Sequence, residues 1–234
     1  MTLKGVVFDI DGTMANTLPV CIEAYQMYLE KRLKRPVEVE EITSHFGKSD
    51  EGILDALIQA QDGQTDTYEE YFQLYETLHA ACKEPFPGIR EALELLKRRN
   101  VPMGVVTGKG ARSAEITLRI LGLQPYFQVV ETGSATMPNK HEAIRTAARR
   151  MGVDPEHLIY VGDTPYDMEA AAAAGVHPIG AGWAETSTLT GQEPQARHIF
   201  YRMEDFTAWL AIAFEHTEGQ LRDNRFVWRF PSTI

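Results

Sequence analysis

The stretch Val6-Val7-Phe8-Asp9-Ile10-Asp11-Gly12-Thr13 decides how the rest of the chain is read. Three consecutive apolar residues predict a short strand buried on both faces. Polarity switches within one residue, at Asp9. Side chains alternate along an extended backbone, so Asp9 and Asp11 are predicted to share one side while Ile10 points away. The carboxyl ends of strands are where open parallel sheets build ligand sites. Two carboxylates held this close repel one another and need a cation, a shared proton or solvent. A solvated turn accounts for Asp-Gly alone. A chance Asp-x-Asp-Gly-Thr is a matter of about 1% at average residue usage in a chain this long, which favours a functional role.

Working outward, short apolar runs predict strands over 103–106, 127–130, 158–161, 176–179 and 198–201. Helical spacing predicts helices over 89–97, 113–121, 142–151, 166–174 and 205–214, with Gly122, Gly152 and Gly175 as helix stops. This alternation implies a parallel sheet covered on both faces. Residues 16–85 break it, reading as three or four amphipathic helices. The first carries Leu18, Ile22, Tyr25, Leu29 and Leu33 on one stripe, with Thr17 as a candidate cap and Pro19 in its first turn. The expected organisation is an α/β core (1–15 and 86–218), an inserted helical cap (16–85) and a tail (219–234) without an assigned role.

Composition narrows the function. The 234 residues are 44% hydrophobic and 24% charged, values of an ordinary globular protein. No run approaches the roughly 20 apolar residues of a membrane span. Lys and Arg number 23 against 33 Asp and Glu, and the resulting charge of −10 repels nucleic acid and anionic lipid. Cys21 and Cys82 lack metal-ligand spacing and are expected to be buried free thiols. A cytoplasmic protein is expected.

Three further stretches carry chemistry. Val161-Gly162-Asp163-Thr164-Pro165-Tyr166-Asp167 again places carboxylates after an apolar strand, with Pro165 opening a helix. Together with Asp9 and Asp11 they would form an oxygen-rich site suited to Mg²⁺. Val105-Val106-Thr107-Gly108-Lys109-Gly110 runs from a strand through a glycine-bearing loop, offering a hydroxyl and open N–H groups to an anion. In Asn139-Lys140-His141-Glu142 a lysine begins a helix, where the dipole disfavours it; balancing a phosphate and the carboxylates explains that placement.

Together these motifs resemble the haloacid dehalogenase superfamily, in order and over roughly residues 3–214. The nearest branch resembles the phosphoglycolate phosphatases, given also Phe46-Gly47-Lys48 in the cap and Gly182-Trp183 after the last motif. The resemblance implies a Rossmann-like doubly wound core with a small helical cap, and Mg²⁺-dependent hydrolysis of a small phosphomonoester. Asp9 would attack phosphorus to give an aspartyl-phosphate, and Asp11 would act as acid and then base. The ion would be held by Asp9, the Asp11 backbone carbonyl, Asp163 and Asp167. Gly12, Thr107, Gly108 and Lys140 would hold phosphoryl oxygens, and Lys48 would reach an anionic leaving group. A phosphosugar mutase of the same family is the alternative, and a phospho-aspartate signalling module a more distant one. The expected partner is a small phosphorylated metabolite, handled by a monomer or homodimer.

Overall fold

A computed structural model describes residues 2–58, 68–136 and 139–215. The tail expected at 219–234 lies outside the described residues. In chain order the elements are β1 (Gly5–Phe8), α1 (Leu18–Leu33), α2 (Val39–Thr43), α3 (Asp50–Ile58), α4 (Glu69–Leu78), α5 (Ile89–Arg98) and β2 (Met103–Val106). There follow α6 (Ala111–Ile120), β3 (Val129–Glu131), α7 (Lys140–Met151), β4 (Leu158–Gly162), α8 (Pro165–Ala174), β5 (His177–Ala181), β6 (His198–Phe200) and α9 (Met203–Ala213).

The six strands form one parallel sheet in the order β3-β2-β1-β4-β5-β6. Chain order runs outward from β1 on one side and then restarts at β4 on the other. The reversal leaves a crevice at the carboxyl ends of β1 and β4, where doubly wound sheets bind ligands. Alternation along the strands divides the core. Val6, Phe8, Val105, Ile159 and Val161 face Leu93, Leu118 and Phe206 of α5, α6 and α9. Val7, Val106, Leu158 and Tyr160 face Ile144 of α7 and the alanines of α8. The small face of α8, with Ala170, Ala171 and Ala174 buried, brings its backbone close to the sheet and accommodates the fully buried Tyr160.

The segment between β1 and α5 has its own apolar cluster, in which Tyr25, Leu29, Ile42, Leu54, Tyr71 and Phe72 are buried. The cluster extends to Ile116 of the core helix α6, and α4 lies against that helix.

Several expectations are corrected. Thr17 precedes α1 without making a side-chain cap bond; its hydroxyl donates to Asp11 instead. Strand β3 begins at Val129 because Gln124–Tyr126 forms a 3₁₀ turn that delivers Phe127 into the core. Helices α6 and α7 each begin two residues before the starts read from apolar spacing, and Lys140 opens α7 as its motif implied. Cys21 is buried, but Cys82 is only half-buried.

Burial pushes the Cys21 thiol up to about 12, against the opposing pull of Lys109. The neutral thiol is a poor nucleophile. Iodoacetamide at pH 8 should therefore label native protein at Cys82 first and Cys21 only after unfolding, read by peptide mass spectrometry. Equal native labelling at both would contradict this packing.

Candidate active site

Asp9 directly follows β1, and its N–H donates to the Val161 carbonyl at 2.9 Å, drawing the end of β1 against β4. Asp163 directly follows β4, and Asp167 lies one turn on in α8. Thr164 caps that helix: the Asp167 N–H donates to its Oγ1 at 3.2 Å, while its own N–H and hydroxyl donate to Asp167 Oδ2 at 3.0 and 2.7 Å. One carboxylate oxygen each from Asp9, Asp163 and Asp167 falls within a 4.8 Å group, and all three residues are buried.

Lys140 holds this cluster together. Its Nζ donates to Asp9 Oδ2 at 2.7 Å and to Asp167 Oδ1 at 2.6 Å. Burial opposes its charge, but Asp167 and Asp9 outweigh that and keep the ammonium protonated. Burial also pushes Asp167 up, and here Lys140 and the Thr164 donors win, holding it below the usual carboxylate range. Asp9 goes the other way: burial and the neighbouring carboxylates raise it despite Lys140. Asp163 is raised to about 8 by burial and by its neighbours Asp167 and Asp9, against the weaker opposing pull of the Thr13 hydroxyl, at 3.1 Å, and of Lys140. The lone ammonium is too little positive charge for three buried carboxylates. An all-oxygen, carboxylate-rich donor set with excess negative charge fits a hard divalent cation such as Mg²⁺.

Asp11 stands apart from that cluster. Its Oδ1 accepts from Thr17 Oγ1 and pairs with Lys109 Nζ at 3.1 Å. The expected convergence of four carboxylates is thus three plus one, with Asp11 facing the cap. Lys109 is buried and its Nζ also donates to Cys21 Sγ at 2.9 Å and to Tyr75 Oη at 3.0 Å. Sequence reasoning gave Lys109 no role. The available signal was its place in a loop after β2, the strand that borders β1, where a lysine is delivered to the Asp11 side of the sheet.

Asp50 was missed as well. This first residue of α3 accepts at Oδ1 from Tyr25 and Tyr71 hydroxyls, at 2.9 and 2.8 Å. At Oδ2 it accepts from the Gly110 N–H, at 2.7 Å, and from the Ser113 hydroxyl. A carboxylate from the inserted helices therefore caps core helix α6, whose first turn has exposed N–H groups and a partial positive charge.

The remaining expected residues divide. Lys48 and Gly108 line a cavity of about 390 Å³ together with Asp9, Asp11, Asp167 and Lys140. Lys48 makes no ion pair among the described residues. The space beside Gly108 is open, with no atom within 4 Å of where a Cβ would sit. Thr107 is buried beneath the loop, where its Oγ1 accepts from the Lys109 N–H at 3.3 Å. Gly12 has φ +69° and lies so close to Asp163 that any Cβ would overlap the carboxylate. Its absent side chain lets Asp163 approach Asp9.

Residues 6–181 match the family model for haloacid dehalogenase-like hydrolases. Phosphoglycolate phosphatase of Chromobacterium violaceum is 30% identical over 199 residues, covering 80% of this chain and 89% of that protein. Pyrophosphatase PpaX of Bacillus pumilus is 28% identical, covering 88% and 96%. In fold, CbbY from Rhodobacter sphaeroides, solved in complex with phosphate, superposes with a TM-score of 0.71 at 19% identity, covering 88% and 96%. The Lys140-bridged acids at the β1–β4 crevice and the matching family model lead to one conclusion: this chain is a member of the haloacid dehalogenase-like hydrolase family.

Proposed function

We propose that the protein is a Mg²⁺-dependent phosphatase that hydrolyses a small phosphomonoester through an aspartyl-phosphate on Asp9. The observation that carries this reading is the Lys140 bridge between Asp9 and Asp167, with Asp163 beside it and Asp11 across the cavity. Mg²⁺ would be held by the Asp9, Asp163 and Asp167 carboxylates and the Asp11 backbone carbonyl. When bound, it would neutralise carboxylate charge so that an anionic substrate can approach an anionic nucleophile.

The protein's own groups supply the rest. A carboxylate oxygen of Asp9 forms a bond to phosphorus as the ester P–O bond breaks, and the departing oxygen takes a proton from Asp11. Asp11, now ionised, takes a proton from water as that water's oxygen bonds to phosphorus. The P–O bond to Asp9 breaks, phosphate leaves, and both carboxyls return to their starting states. Lys140 and the Gly108 N–H would steady the phosphoryl oxygens as charge builds. Thr107 would hold the loop that presents Gly108, and Gly12 would keep room for Asp163. The cap, 16–85, would read the leaving group, with Lys48 placed for an anionic end. Relatives named for phosphoglycolate and for pyrophosphate support phosphoryl hydrolysis as the shared chemistry.

Asp9→Asn should remove nearly all phosphate release while keeping the circular-dichroism spectrum of the folded protein; activity within tenfold of wild type would reject the mechanism. Asp11→Asn should slow ethyl phosphate, a poor leaving group, far more than p-nitrophenyl phosphate, and equal losses would remove Asp11 as the acid.

Metal binding is testable without turnover. Asp9 and Asp163 have pKa values raised on folding, so the folded state binds more protons than the unfolded one between about pH 4 and about pH 8. Chelator-treated protein therefore loses stability as pH rises across that window. Mg²⁺ binds the deprotonated cluster, so the stabilisation it adds should grow with pH over the same range. Thermal melts in chelator and in excess Mg²⁺ at several pH values measure both; a Mg²⁺ effect absent at pH 8 would refute the metal site.

A further inference from the structure

The cavity above Asp9 is larger and less polar than a two-carbon leaving group requires. At about 30 Å³ per water, 390 Å³ holds on the order of a dozen water molecules. Besides the charged groups, its lining includes Leu18, Cys21, Tyr25, Phe46, Ile53 and Tyr166. Of their polar groups, the Cys21 thiol and the Tyr25 hydroxyl already have partners. The Tyr25 hydroxyl donates to Asp50, and both Asp50 oxygens are filled by donors from the cap and α6. Lys109 is paired with Asp11, and Lys140 with Asp9 and Asp167. Of the lysines lining the cavity, Lys48 alone lacks an ion pair among the described residues.

This distribution discriminates among leaving groups. The hydroxyls of a sugar would lose water against walls made mostly of Leu18, Phe46, Ile53 and the aromatic faces of Tyr25 and Tyr166, a desolvation with little compensation. The second phosphate of pyrophosphate would bring a further doubly charged group into a cavity already lined by Asp9, Asp11, Asp50 and Asp167, where, beyond the bound Mg²⁺, Lys48 is the one lining lysine without an ion pair among the described residues. An apolar body gains from the same walls, and one carboxylate at its far end would find Lys48.

We infer that the substrate is a phosphomonoester of a primary or secondary alcohol whose body carries an apolar ring or short chain, with at most one anionic group. The inference rests on the phosphatase reading and deepens it.

Four alkyl phosphates with alkoxide leaving groups isolate the cavity from the chemistry: ethyl phosphate, phosphoglycolate, benzyl phosphate and 4-carboxybenzyl phosphate, assayed for phosphate release with Mg²⁺. The kcat/KM for benzyl phosphate should exceed that for ethyl phosphate by about tenfold or more. That for 4-carboxybenzyl phosphate should be the highest of the four, and Lys48→Ala should lower it by about tenfold while lowering benzyl phosphate less. Phe46 is 39% exposed, so Phe46→Ala should fold, and it should cut the benzyl-to-ethyl ratio about fivefold. A benzyl phosphate no better than ethyl phosphate, a phosphoglycolate matching 4-carboxybenzyl phosphate, or faster turnover of pyrophosphate would overturn the inference while leaving the phosphatase in place. Absence of phosphate release from all of these and from p-nitrophenyl phosphate would overturn the phosphatase reading itself.

Discussion

Three carboxylates cannot share a buried space without opposite charge, and the structure meets that constraint first with Lys140. Its ammonium spans Asp9 and Asp167 at hydrogen-bond length although it opens helix α7, where the helix dipole disfavours a cation. Two buried charge-assisted contacts outweigh a dipole penalty of well under about 1 kcal/mol. Removing one partner from such a buried network typically costs about 3–5 kcal/mol, because the charges left behind are uncompensated. Other features follow from the same crowding. Gly12 and Gly162 lack side chains where Asp163 and Asp167 must come close, and the Thr164 cap absorbs the second oxygen of Asp167.

The inserted helices are coupled to this centre by buried groups as well as by surface pairs. Arg112 with Glu69 and Arg119 with Glu76 join α6 to α4, but these pairs are largely exposed and each contributes little. The buried contacts weigh more: Tyr75 to Thr117 at 2.7 Å, Asp50 to the first turn of α6, and Lys109 reaching Tyr75 and Cys21 from the core. Because α6 begins just after the Thr107–Lys109 loop, the position of the cap and the shape of that loop are physically linked. Asp11 takes part through Thr17 and Lys109, so the proposed acid touches both the residue that leads into α1 and the loop after β2.

Most of the fold was legible because its signals are local. Apolar runs ending abruptly in acids located β1 and β4, and three-residue and four-residue spacing located the helices that cover them. What escaped was set by contacts distant in sequence. Thr17 looked like a helix cap by position, but its backbone is already helical, at φ −94° and ψ −11°, rather than extended as at a side-chain cap, and its hydroxyl turns to Asp11. Lys109 and Asp50 were given no role, since burial of a charged residue depends on partners 21 to 98 positions away, such as Tyr71 for Asp50 and Asp11 for Lys109. The acids Asp9, Asp163 and Asp167 were found because each directly follows or caps an element whose pattern was clear.

The central claim is that Asp9 becomes covalently phosphorylated during turnover. Rapid acid quenching of the protein with Mg²⁺ and a turned-over phosphomonoester, followed by peptide mass spectrometry, tests it directly. The account predicts a hydroxylamine-sensitive phosphoryl adduct on the peptide containing Asp9, absent without Mg²⁺ and absent in Asp9→Asn. Steady phosphate release with no adduct at any quench time, or an adduct on a different residue, would contradict it.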